Sequence, residues 1–336
     1  MGKVRQADIA RVAGVSQATV SVVLGGNRTG VRLSERTRLR VLEAAEQLGY
    51  VPDPVSSRLA ATRNNLLGVY TFTPAFPVDV ADAYYPILAG VEAEAAALGK
   101  DLIMFTASSA APDRIRRTRL ADGCLFLGRH VPVDGIADLL AAGFPIVYIG
   151  RRTELGGRIP HVGADYVSAS AEVITRLARA GHTRVRYLRE PDDAPSSGDR
   201  ERGVRAAAAA AGLSLVVVRT DGADLDGPSV RCWLDDGVTA LVVEETDTGA
   251  VFHATWRALG EAGVSVPGDV SLAVLGRPPA GTAGPVISGF EVPRRALGRA
   301  AVRLLASLVE PGSGEPSLHR LLTCPPVAGE TIATLA

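Results

Sequence analysis

Ala10-Arg11-Val12-Ala13-Gly14-Val15-Ser16-Gln17-Ala18-Thr19-Val20-Ser21 is the stretch on which the reading of this chain turns. Two helices that cross need a small residue at the crossing, which Ala10 supplies. The turn between them needs a residue tolerant of left-handed backbone, met by Gly14, and an apolar plug after it, met by Val15. Short polar residues then open the second helix: Ser16, Gln17, Thr19 and Ser21 suit contact with base edges and phosphates. An ordinary helical hairpin inside a core does not demand these residue types at these offsets. The stretch is therefore read as a helix-turn-helix.

Working outward, Gln6 to Ala13 places Ile9, Ala10 and Ala13 on one helix face, and Ser16 caps a second helix to Leu24 with Val20, Val23 and Leu24 as its apolar stripe. Gly25 to Gly30 reads as a loop. Ser34 caps a third helix to about Leu48, with Leu39, Leu42, Ala45 and Leu48 expected to face inward. Gly49 ends it, and Tyr50-Val51-Pro52-Asp53-Pro54 is an extended linker.

Charge follows this division. The 336 residues carry no net charge, yet residues 1–63 hold ten basic side chains against five acidic, an excess that the rest of the chain offsets. A basic head on a mildly acidic body is what a nucleic-acid-binding module joined to a separate regulatory domain requires. With 47% hydrophobic and 21% charged residues, the chain can build several cores. No apolar run approaches the roughly 20 residues of a membrane span. Met1 to Asp8 lacks the apolar segment of a signal peptide, so a cytoplasmic location is expected. Cys124, Cys232 and Cys324 lie far apart, which suits inert thiols in a reducing compartment.

From Leu66 onward short apolar strands alternate with helices. Strands are expected at 67–72, 101–106, 123–127, 145–150, 185–188, 215–218, 241–243, 272–275 and 318–322, with helices near 86–98, 168–180 and 294–308. Such alternation implies parallel sheets built from right-handed crossovers. The series restarts near Val162, so two doubly wound lobes enclosing a ligand cleft are expected. The fold class is α/β, with a helix-turn-helix head before a two-lobed body.

An enzyme is the competing class. The five histidines are scattered, no G-x-S-x-G or phosphate-binding loop appears, and no cofactor or metal site is expected. Glu244-Glu245 imitates a catalytic pair, but neighbours on a strand point to opposite faces, and the two are read as ending a strand at the cleft mouth. A two-lobed extracytoplasmic binding protein shares the body but not the head.

The head motif, with Tyr50-Val51-Pro52-Asp53 and Arg58-Leu59-Ala60 after it, resembles the lactose-repressor/galactose-repressor (LacI/GalR) family. So do Leu67-Gly68-Val69, Gly181-His182-Thr183-Arg184-Val185 and Val266-Pro267-Gly268-Asp269-Val270-Ser271 in the body. The resemblance implies a helix-turn-helix domain at 1–52, a hinge helix and linker at 53–63, and a periplasmic-binding-protein-like effector and dimerisation domain at 64–336. Its first lobe would take in about 64–162 and 291–322, its second about 163–290. It further implies a homodimeric repressor on a palindromic double-stranded operator, controlled by a sugar or nucleoside. The alternative is a regulator whose cleft has lost that ligand.

Candidate DNA contacts are Arg5, Ser16, Gln17, Ala18, Thr19 and Ser21 in the head. Gln17 suits adenine and Ala18 a thymine methyl. The resemblance adds Ser56, Ser57 and Leu59 in the hinge, with Leu59 at the position of a leucine wedge in the minor groove. The chain departs from the family at Val22, where arginine is usual, and at Asp53 and Ser57. Candidate effector contacts, on the same resemblance, are Tyr84, Tyr85, Asp165, Arg200 and Asp247. Two family motifs are altered here, at Glu244-Glu245-Thr246-Asp247 and at Val274-Leu275-Gly276-Arg277-Pro278, where acidic ligand-holding residues are usual.

Overall fold

The computed structural model describes residues 4–24, 33–50, 64–72, 81–106, 115–128, 131–246, 248–310 and 316–335. These fall into two units, Met1–Asn64 and Asn65–Ala336.

The first unit contains α1 (Gln6–Ala13), α2 (Gln17–Leu24) and α3 (Glu35–Gln47). Its core is Ile9, Ala10, Ala13, Val20, Val41, Ala44 and Ala45, with Leu48 packed against it. Ser34 caps α3, its Oγ accepting from the Thr37 backbone N–H at 3.2 Å. The stripe expected on α3 needs correcting: Leu39 and Leu42 are exposed, while Val41 is fully buried. A spacing of three falls about 60° short of a full turn at each step, so Leu39 and Leu48 lie on opposite sides of the helix. The true stripe alternates threes and fours through Val41, Ala44, Ala45 and Leu48.

In the second unit the chain begins with β1 (Leu66–Thr71), α4 (Ala81–Ala97), β2 (Asp101–Thr106), β3 (Gly123–Leu127), α5 (Val133–Ala141), β4 (Ile146–Ile149) and β5 (His161–Ala164). It then builds a second lobe from α6 (Tyr166–Arg179), β6 (Arg184–Arg189), α7 (Pro195–Ala211), β7 (Ser214–Arg219), α8 (Gly227–Asp235), β8 (Ala240–Glu244), α9 (Ala250–Ala262), β9 (Ser271–Leu275) and β10 (Ser288–Phe290). Next, α10 (Arg294–Val309) and β11 (His319–Leu322) return to the first lobe, and β12 (Pro326–Val327) joins the second. The sheet orders are β11-β5-β4-β3-β1-β2 and β12-β10-β9-β8-β6-β7. All described pairings are parallel except β10 with β12. The inner strands β1, β3, β4, β8 and β9 are buried along their whole length, as sheets covered on both faces require.

The crossing into the second lobe comes after Ala164, two residues beyond the expected break, because the short β5 still pairs with β4 and β11. The tail after Leu322 belongs to the second lobe. His182 holds it there: Nδ1 lies 2.9 Å from Thr239 Oγ1, and Nε2 lies 3.0 Å from Ser271 Oγ and 3.1 Å from the Ala333 carbonyl.

Two close helix contacts aim residues at the space between the lobes. A Cβ on Gly298 would lie 2.2 Å from the Ile87 carbonyl, so α10 presses on α4 and brings Arg294 to the cleft. A Cβ on Gly203 would lie 2.2 Å from the Val167 carbonyl, so α7 packs on α6 closely enough for Arg200 to cover the Tyr166 ring.

Candidate functional site

In the first unit, α1 and α2 meet at 106°, within the range of a helix-turn-helix. Gly14 makes the turn at φ +63°, and the Val15 N–H donates to the Ala10 carbonyl at 3.1 Å. Ser16 Oγ accepts from the Thr19 N–H at 3.2 Å and lies 2.9 Å from Thr19 Oγ1, so this hydroxyl caps α2. Val20 is buried, Thr19 is half-buried, and Ser16, Gln17, Ala18 and Ser21 are exposed. Arg5 stands at the start of α1, where its backbone N–H donates to Asp8 at 3.0 Å. That bond and the Arg11 guanidinium hold the Asp8 carboxyl below its usual range.

In the second unit a cavity of about 1150 Å³ opens at the carboxyl ends of the parallel strands. Arg200, on the second turn of α7, is its central cation. It is 4% exposed; its Nε donates to the Leu275 carbonyl at 3.0 Å, and its guanidinium lies 3.8 Å over the Tyr166 ring. Nη1 is 3.7 Å from Glu244 and Nη2 is 3.8 Å from Glu245, beyond hydrogen-bonding distance. Burial works against its charge, but Tyr166, Glu244 and Glu245 outweigh that and raise its pKa. Burial likewise raises the Tyr166 hydroxyl pKa.

Glu244 ends β8 and is 2% exposed, with one oxygen accepting from Tyr187 Oη and the other from Ser197 Oγ. Burial first, and then Glu244, push the Tyr187 hydroxyl pKa up. Glu245 accepts from Arg294 Nη2 at 2.8 Å through Oε1, while Oε2 makes no hydrogen bond. Across the cleft, Arg151 grips the buried Asp199 through Nε and Nη2. Arg152 donates to the Gly128 carbonyl and lies 4.0 Å over the Tyr148 ring.

Residues 7–53 match the model for bacterial regulatory proteins of the lacI family, and residues 174–332 match a periplasmic binding protein-like domain. The chain is 30% identical over 287 residues to the HTH-type transcriptional regulator PtxS of Pseudomonas putida, covering 81% of this chain and 79% of that protein. It is 32% identical over 190 residues to Catabolite control protein A of Streptococcus mutans, a match spanning 55% of this chain and only 54% of that relative. The chain belongs to the LacI family of bacterial transcriptional regulators. Its fold is that of the Lac repressor dimer bound to operator and the anti-inducer ONPF, with a TM-score of 0.74 at 21% identity over 99% of this chain and all of that one.

Within this LacI-family chain, the expected site residues separate. Tyr84 and Arg200 line the cleft. Tyr85 does not; it is 61% exposed, because neighbours on a helix point about 100° apart. Asp165 is also outside the lining, since its carboxylate accepts from the Ser168 N–H at 3.0 Å and caps α6. Asp247, Ser56, Ser57 and Leu59 lie outside the described residues.

Glu244 and Glu245 stand at a strand end and both line the cleft, as expected. The strand ends at Glu244, so its alternation does not extend to Glu245. Asp199, Arg151 and Arg294 carry no signal in the linear pattern beyond their places after a strand or at a helix start.

Proposed function

We propose that this LacI-family regulator binds a palindromic operator as a homodimer, acts as a repressor in the cytoplasm, and is controlled by a sugar or nucleoside held in the inter-lobe cleft. The observation that carries this reading is the exposed face of α2, where Gln17, Ala18 and Ser21 stand clear of a helix whose opposite side is buried at Val20. Such a face fits the major groove, with Ser16 and Arg5 beside it for phosphates. A two-fold dimer presents two such faces to two half-sites, as the relative of the same fold does on its operator. In the hinge, Ser56 and Ser57 would meet the backbone and Leu59 would wedge the central step of the minor groove.

The cleft is read as a site of ligand control. Glu244, as buried as Asp199 in the same wall, accepts from Tyr187 and Ser197, and these two hydroxyls hold its carboxylate in place. A ligand there acts through its different affinity for two lobe arrangements.

Selection of bound sequences from a random DNA pool at fixed salt tests the reading. The expected product is a palindrome whose binding is released by a neutral sugar or a nucleoside. On that palindrome Leu59→Ala weakens binding about tenfold or more, in line with loss of an intercalated wedge. A pool that yields no palindrome even at low salt overturns the DNA-binding reading.

A further inference from the structure

Within the ligand-controlled reading just given, we propose that Glu245 sets the charge of the effector: the cleft admits an uncharged, hydroxylated molecule and rejects its anionic relatives. Six described arginines point to an anion at first sight, because Arg151, Arg152, Arg200, Arg277, Arg294 and Arg295 all line the cavity. All except the exposed Arg295, however, already have a carboxylate within 4.0 Å. Arg151 has Asp199, Arg152 has Glu154, Arg200 has Glu244 and Glu245, Arg277 has Glu291, and Arg294 has Glu245. Away from that exposed arginine, an incoming anion therefore meets compensated charge and must displace a carboxylate to gain a partner.

Arg200 is the group with binding capacity to spare. No described hydrogen bond uses its Nη1 or Nη2, and these face Glu244 and Glu245 at 3.7 and 3.8 Å. A ligand oxygen that accepts from Arg200 must sit beside both carboxylates. Glu244 is neutralised in part by its two hydroxyl donors. Glu245 is not: Arg294 holds Oε1, while Oε2 is buried, makes no hydrogen bond, and packs on Gly276 so closely that a Cβ there would lie 2.1 Å from it. An underused carboxylate oxygen in a low-dielectric wall repels a neighbouring negative charge more strongly than it would in water. A hydroxyl accepts from Arg200 without that repulsion. An ammonium is disfavoured in turn by the Arg200 and Arg294 guanidinia on either side. What remains is a neutral group with an acceptor oxygen, as in a polyol or a sugar ring.

The test uses the full-length protein and matched probes: neutral monosaccharides and disaccharides, each beside its aldonic acid and its phosphate ester. Binding is read by calorimetry and by release of the selected operator. The expected result is that the wild type binds a neutral probe and not its charged partners. Glu245→Gln, nearly isosteric, then improves the affinity for the charged form of that sugar relative to the neutral form by about 10- to 100-fold, the effect of removing one nearby charge. Glu245→Asp keeps the charge and keeps the discrimination, and operator binding by each variant reports that it has folded. Two results overturn the proposal while leaving ligand control intact: a wild type that prefers the acid or phosphate, or a Glu245→Gln variant with an unchanged preference. If no probe binds although the operator is bound, ligand control itself fails and the proposal falls with it.

Discussion

The two lobes have the same strand order, and comparing them strand by strand shows where the site comes from. In each sheet, β3 and β8 hold the same position, as do β4 and β9. Strand β4 runs into Gly150-Arg151 and β9 into Gly276-Arg277, both glycines at positive φ. One arginine turns across the cleft to the buried Asp199, whereas the other pairs at the surface with Glu291 at 2.9 Å. Strand β3 ends in Leu127-Gly128, but its counterpart β8 ends in Glu244-Glu245. The first lobe thus offers mainly guanidinium groups and the second mainly carboxylates around Arg200. The same scaffold makes two unlike walls because the residues after equivalent strand ends differ, and the walls are joined by the ion pairs Arg151–Asp199 and Arg294–Glu245.

The sharpest way to break this comparison is to remove one arginine of each matched pair. Arg151→Ala leaves the Asp199 carboxylate buried with Arg202 as its remaining partner, and is expected to destabilise the body by about 3 kcal/mol in denaturant unfolding. X-ray scattering should also show the lobes moving apart. Arg277→Ala, at the equivalent place in the second lobe, removes a pair in which both side chains are about half exposed. It should cost no more than about 0.5 kcal/mol. Equal effects would mean that the lobes do not differ as described.

Next in size is Gly203→Ala. The added Cβ collides with the Val167 carbonyl and should push α7 from α6, at a cost of about 2 kcal/mol measured by thermal unfolding. Effector binding should weaken as well, because the Arg200 stack on Tyr166 opens. A smaller effect is expected in the first unit. Gly14→Ala places a side chain at φ +63° in open space, so only backbone strain acts, about 1 kcal/mol. Operator binding should fall while the unfolding of the body is unchanged.

The smallest expected effect is one of pH. Burial lowers the His182 pKa below its ordinary 6.5, so the folded second lobe favours the neutral ring. The unfolded chain binds the proton more readily, so this stabilisation is complete above pH 6.5 and is lost as pH falls from there toward the folded pKa. Melting temperature should therefore drop modestly between pH 7 and 5, and His182→Gln should flatten that slope. The first lobe has its own buried histidine, His161, lowered by burial and stacked 4.6 Å from His319, so some slope should remain.

Much of the architecture was legible in the linear chain. The buried runs of β1, β3 and β9 are continuous and apolar, and Gly14 with Ser16 marks the turn and cap that the structure shows. The helix α7 was not legible: it opens Pro-Ser-Ser-Gly and closes in six alanines, so it has no apolar stripe, although it carries Asp199 and Arg200. The β5 strand is four residues long and includes a histidine and a glycine, too little for a pattern. Of the residues expected at the cleft, Tyr84 and Arg200 lie in its lining, whereas Asp165 lies outside it, because an acid after a strand serves equally well as a helix cap.

What the sequence by itself determined is whatever depends on neighbours along the chain: helix caps, the left-handed turn at Gly14, the apolar periods, and the division between a basic head and a two-lobed body. What only the tertiary structure decided is which charges meet. Arg151 and Asp199 are far apart in the chain, as are Glu245 and Arg294, and their pairing follows from glycine-sized helix contacts and strand ends that no local pattern encodes. Electrostatic partners are chosen by distance through space, and the chain records only distance along itself.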